Sequence, residues 1–178
     1  MTHVEGVIIR NPAWAPALVS SGIDAAWRLG SWSTLERLLT KEHQPTFEAS
    51  VGSLLMAARV SNMTKFTSQL KQARESLIAP LVAACMESFR RAYDTIAKLH
   101  MLYEIESAVS MARNNGGDAV QQLMMEWESR LACSVPTLRV REPLLNLRRV
   151  LIHDMGCVAS FLKLNFIPLF ILIHFRIF

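Results

Sequence analysis

The side chains best equipped for chemistry in this sequence stand apart from one another. The five histidines, His3, His43, His100, His153 and His174, are scattered over the whole length, and no two lie at the one-turn spacing that puts a pair of imidazoles on one metal ion. His100, alone in an apolar run, reads as a packed or surface histidine rather than a ligand. Glu104 and Glu106 would be a carboxylate pair for acid–base work, but residues two apart on a helix point to different faces, so a solvated surface is expected for both. Cys85, Cys133 and Cys157 are an odd and widely spaced set. Beside Met86 and away from any positive cluster, Cys85 is expected to be an ordinary buried thiol. Glycine-rich phosphate loops, His-Arg-Asp, Asp-Phe-Gly, His-Glu-x-x-His and Cys-x-x-Cys are all missing, and Gly116-Gly117 is not a nucleotide loop. No catalytic, cofactor-binding or metal-ligating residue is therefore expected.

What remains is charge. Arg139, Arg141, Arg148 and Arg149 flank Glu142-Pro143 and would form a partner-facing basic patch for phosphate or an acidic protein surface; Arg90-Arg91 is a smaller one. Arginine also covers helix ends and pairs with neighbouring acids, and that structural use competes with the functional one. A nucleic-acid groove would need a continuous basic stripe interleaved with aromatics. None is visible, and the net charge of +4 includes Lys163 and Arg176 near the end of the chain.

The elements that would carry these residues are helical throughout. Ile23 to Leu39 contains an apolar face built on Ala25, Ala26 and Leu29 with Trp27 beside it, a break at Gly30-Ser31, and a second stripe of Trp32, Leu35, Leu38 and Leu39. The pattern predicts a helix from about Ala17 to Gly30, a tight turn with Ser31 as N-cap, and a second helix to about Lys41. Small alanines allow close approach of such a pair, and the tryptophans demand cover from a neighbour. Phe47 to about Val60 predicts a third helix, and Phe66, Leu70, Ala73 and Leu77 a fourth, capped by Asn62 or Thr64, with Pro80 where that helix ends or the next begins. Phe89, Tyr93, Ile96, Leu99, Leu102, Ile105, Val109 and Ala112 mark the longest run. Asn114 to Asp118 is a turn cluster and the expected flexible loop. Val120 to Leu131 and the segment after Glu142-Pro143 supply two more helices. No stretch alternates with period two for long enough to be a strand.

The fold class is thus all-α: roughly seven or eight helices, paired about every 30 to 40 residues as antiparallel TPR- or HEAT-like hairpins of an α-solenoid segment. Residues 1–12 are an N-terminal loop or incomplete helix, 13–153 the helical-repeat region, and 154–178 an atypical apolar tail. With 51% hydrophobic residues there is ample material for a core. The cysteine usage and the opening segment fit an intracellular, reducing setting. In the tail, Lys163, Asn165, Pro168, His174 and Arg176 interrupt the apolar runs, which fall short of the roughly 20 residues that span a bilayer. Membrane attachment is accordingly not expected.

The order of Ala25-Ala26-Trp27-Arg28-Leu29-Gly30-Ser31-Trp32, Leu54-Leu55, Leu99 to Glu106, Trp127-Glu128-Ser129-Arg130-Leu131 and Arg141 to Leu151 resembles the FAT region of the phosphatidylinositol-3-kinase-related protein kinases, in its ATR-like branch. The resemblance covers about residues 10 to 153. It implies helical repeats that scaffold a kinase domain absent from this sequence, in a nuclear serine/threonine kinase of the DNA-damage and replication-stress checkpoint. By the same resemblance, ATP with Mg or Mn belongs to that kinase domain, no cofactor or direct nucleic-acid contact falls on this chain, and the partners are neighbouring repeats, the kinase domain and an ATR-interacting protein. Trp27, Trp32, Leu99, Leu102, Trp127 and Leu147 are the expected packing residues. The chain is expected to be a non-catalytic fragment, and Met155 to Phe178, which follows no pattern of the family, to come from a shifted reading frame, a retained intron or a truncated splice form. The alternatives are a stand-alone helical-repeat adaptor and a tail-anchored helical membrane protein.

Overall fold

A computed structural model describes residues 6–7, 10–42, 45–114 and 117–154. Among them a short 3-10 turn, Pro12–Trp14, precedes seven α-helices: α1 (Ala15–Arg28), α2 (Trp32–Leu39), α3 (Phe47–Arg59), α4 (Met63–Glu87), α5 (Phe89–Asn114), α6 (Gly117–Cys133) and α7 (Leu138–Asp154). The described residues contain no strand, and no helix among them is long and apolar enough to cross a membrane. The flexible loop expected at Asn115-Gly116, the end of the second helix at His43-Gln44 and the tail from Met155 onward lie outside the described residues.

Local chemistry accounts for the junctions. At the end of α1, Gly30 takes φ 66°. The Gly30 amide donates to the Trp27 carbonyl at 3.1 Å and the Ser31 amide to that of Ala26 at 2.9 Å, the paired closure that a left-handed residue makes possible. The same closure ends α3 through Ser61 and Asn62, here with a serine at φ 57°. Asn62 then accepts the Lys65 amide at 3.0 Å and starts α4, as Thr46 accepts the Ala49 amide at 3.2 Å and starts α3. Ser31 stands at the N-cap of α2 but caps nothing, because its hydroxyl donates to Thr34 Oγ1 at 3.0 Å instead.

Two prolines behave differently from expectation. Pro80 does not end the fourth helix, and Pro143 does not precede the last one: both lie inside α4 and α7. Ser76 and Arg139, whose carbonyls lose their helical partners to these prolines, are exposed, so water can take the place of the missing amide.

Packing proceeds hairpin by hairpin. α1, α2 and α3 close on one another around Ile23, Trp27, Leu35, Leu54 and Leu55, all fully buried. Glycine permits this closeness: a Cβ on Gly52 would lie 3.0 Å from Leu35 Cδ1 and 3.1 Å from Ile23 Cγ2. α4 and α5 form a long antiparallel hairpin, tied by Arg74 to Glu106 at 2.6 Å. α5 is the central strut, packing against α3, α4, α6 and α7. α7 runs alongside α5 in the same direction, as Asp94–Arg139 and Glu104–Arg148 show, and its other side meets α1. The architecture is all-α, a segment of antiparallel helical hairpins. The apolar face expected to include Leu29 is rotated: Leu29 is exposed while Trp27 is buried, and Phe89, assigned to the buried face of α5, is exposed as well.

Candidate functional site

Of the six expected packing residues, Trp27, Leu102, Trp127 and Leu147 are buried, and Trp32 and Leu99 are half-buried against the same core. The Arg59 guanidinium lies 4.9 Å from the Trp32 ring centre. Trp27 and Trp127 are on different helices and do not share one site; each indole Nε1 is buried without an acceptor among the described residues.

The arginines around Glu142-Pro143 are each bonded within the molecule. Arg148 is 5% exposed and makes a bidentate pair with Glu104, Nε to Oε2 at 2.9 Å and Nη2 to Oε1 at 2.6 Å. Its guanidinium also stands 5.3 Å from the ring centre of Trp127, so one side chain of α7 joins α5 to α6. Arg139 reaches Asp94 at 2.7 Å from an exposed position. Arg141 donates to the carbonyls of Leu131 and Ser134, both at 3.2 Å. Arg149 donates to the carbonyl of Arg28, closing the end of α1. The four do not gather into one exposed surface.

Glu104 corrects an expectation. It is 1% exposed, whereas Glu106 is partly exposed and pairs with Arg74. A signal was present: Glu104 falls three residues after Met101 and four before Ala108, squarely on the buried stripe, as Arg148 does between Leu144 and Leu151. Cys85 is also corrected. It lies exposed on α4, as Cys133 does on α6.

His100, one turn before Glu104, has its pKa lowered by burial and by the nearby Arg130, with Glu104 acting in the opposite sense and Arg148 adding a smaller depression. Arg130 covers the Tyr103 ring at 3.8 Å from its centre and pairs with Glu126 at 3.0 Å. These groups form a structural node between α5, α6 and α7. Among the described residues no set of three His, Cys, Asp or Glu side chains converges as a metal site would require.

A cleft of about 280 Å³ lies where α1, α3, α5 and α7 converge. Trp27, Val51, Met101 and Leu144 form its apolar lining, and Asp24, Glu48, Asp94, Lys98 and Arg139 stand around it. Arg28 closes one side by pairing with Asp24 at 2.9 Å and Glu142 at 2.5 Å, while Asn146 also donates to Glu142 at 2.5 Å. Burial raises the Asp24 pKa, and the nearby Glu48 and Glu142 add to the effect against the pull of Arg28. The cleft can hold a side chain or a small apolar group.

Comparison with known proteins places this architecture. The model of the FAT domain matches residues 20–157. The serine/threonine-protein kinase ATR of Oryza sativa subsp. indica is 31% identical over 84% of this chain, and that of Arabidopsis thaliana is 30% identical over 90%. ATR of Drosophila melanogaster is 28% identical over 72% of the chain. The matched segment spans only 6%, 7% and 5% of those three proteins. No solved structure matches. The chain belongs to the FAT-domain family, as a FAT region of the ATR-like phosphatidylinositol-3-kinase-related kinases.

Proposed function

We propose that this chain is a non-catalytic FAT-region segment of an ATR-like serine/threonine kinase, whose helices hold the kinase domain and the adjoining helical repeats in the nuclear response to DNA damage and replication stress. The observation that carries the reading is the FAT match over residues 20–157, along which the ATR relatives also align. The side-chain chemistry supports it: the buried ionic groups Glu104 and Arg148 serve packing between helices. In this reading ATP and Mg or Mn act elsewhere in the longer protein, and the ATR-interacting protein is a partner of the assembly. Phosphoryl transfer, DNA repair signalling and checkpoint control belong to the whole.

The test mixes the purified chain with the kinase domain of an ATR-like enzyme and follows complex formation by light scattering and phosphate transfer from ATP. A stoichiometric complex, with no transfer by the chain alone, is the expected result. Transfer by the isolated chain, or failure to bind the kinase domain, would overturn the reading. The adaptor alternative draws support from the contact between α1 and α7, through which the segment closes on itself. It would show as stable folding without any affinity for the kinase domain.

A further inference from the structure

The cleft between α1, α3, α5 and α7 has an unequal distribution of charge. Arg28 is engaged by Asp24 and Glu142, and Arg139 by Asp94. Two opposite charges remain without an ionic partner among the described residues. Lys98 of α5 stands over the Phe47 ring, 5.1 Å from its centre. Glu48 of α3, the next residue after Phe47, has only the Ser20 hydroxyl, which donates to it at 3.3 Å. Both charges line the same hollow of about 280 Å³ as the buried, apolar Val51, Met101 and Leu144. Four helices frame it, and the Arg28–Glu142 pair and the Arg149 bond to the Arg28 carbonyl brace two of them. The hollow is therefore preformed, the condition under which an apolar anchor binds with little ordering cost.

We propose that this cleft is a docking groove for an amphipathic helix of a protein partner, which lowers one large apolar side chain between Val51, Met101 and Leu144 and carries an acid and a base, one turn to either side, against Lys98 and Glu48. An apolar contact alone would leave both charges at the rim of a newly dried surface, at a cost in desolvation. A helix with a carboxylate and an ammonium flanking its anchor satisfies both, in either chain direction, because reversing the helix and exchanging the two charges are equivalent. The inference rests on the reading of this chain as a protein-binding helical scaffold and names the surface and the chemistry that would do it. The kinase-domain assay and the groove assay use different binding partners, so each can fail while the other succeeds.

Three helix-stabilised, fluorescein-labelled peptides test it on the full chain. Each has a central Phe, flanked at the fourth residue on both sides by Glu and Lys, by two Glu, or by two Lys. Fluorescence anisotropy should show the Glu/Lys peptide binding about tenfold more tightly than either like-charged peptide, and Met101 methyl shifts should locate it. Lys98→Glu should reverse the order in favour of the two-Lys peptide, and Glu48→Lys in favour of the two-Glu peptide. Ala97→Trp, which fills the hollow from α5, should abolish binding while the helical circular dichroism is retained. The proposal is overturned by equal affinity for the three peptides, by no binding, or by a preference that ignores both charge reversals. It is overturned equally if the Glu/Lys peptide binds only after removal of Met155 to Phe178, or only by dissociating a dimer, since the occupant would then be the tail or a second copy.

Discussion

The two ends of the α4–α5 hairpin follow the same helical period and meet opposite fates. Toward one end, Phe66, Leu70, Ala73 and Leu77 of α4 and Met101, Leu102, Ile105, Ala108 and Val109 of α5 are buried, and a glutamate on the same stripe is taken into the core by Arg148. Toward the other, Ile78, Val82 and Met86 recur every fourth residue at 59%, 57% and 85% exposure, and Phe89 beyond them is 72% exposed. The outward face that carries Lys71 and Glu75 in the packed half turns apolar in the projecting half. What distinguishes the halves is cover: the shorter α3, α6 and α7 pack against the hairpin where it is buried, while Ile78, Val82, Met86 and Phe89 are left exposed. Apolar periodicity identifies a face. Burial is decided by which neighbour reaches it.

The packed end is the more sensitive to substitution. Glu104→Ala leaves the Arg148 guanidinium buried without its carboxylate and should destabilise the fold by about 3–5 kcal/mol, measured by urea unfolding. A loss below about 1 kcal/mol would mean that Glu104 is solvated after all. At the junction of α3 and α4, Ser61→Gly should stabilise by about 1 kcal/mol, because glycine takes positive φ without the clash of a side chain. An unchanged unfolding midpoint would show that Ser61 bears no strain.

His100 gives a smaller, pH-dependent effect. Its folded-state pKa lies below the ordinary histidine value, so as pH falls through that ordinary value the unfolded chain takes up the proton first. Stability due to the neutral ring is present above this range and is lost as pH falls through the unfolded value toward the lower folded one. His100→Gln should flatten the fall in stability between neutral pH and mildly acidic pH, and an unaltered slope would assign it to other groups. The smallest effect belongs to the projecting end. Met86→Ser should change stability by no more than about 0.5 kcal/mol. A loss of core size there would erase the distinction between the two halves.

Much of this architecture is legible in the residues themselves. The stripes on α3, α4 and α5 mark their own helices, and Asn62 announces the start of α4 with a side chain suited to capping. The prolines were less legible because their effect depends on exposure: Pro80 and Pro143 sit in helices whose orphaned carbonyls water can reach. Glu104 reads as solvated when charge is weighed before position, although its spacing from Met101 and Ala108 places it on the buried stripe. Leu29, Phe89 and Cys85 share another difficulty. A local pattern says that a residue is apolar, but only distant helices say whether it is covered. The cleft was not legible at all, since Glu48, Lys98 and Leu144 come together only through the packing of α3, α5 and α7.

Amide hydrogen exchange on the full chain tests the contrast most directly, because it reads the cover over each helix residue by residue. Amides from Met101 to Val109 and from Leu144 to Leu151 should exchange only with global unfolding, while those from Ala83 to Glu87 should exchange through local opening many times faster. Equal protection along the whole length of α4 and α5 would contradict it, and would mean that the projecting end is held as firmly as the end built around Glu104 and Arg148.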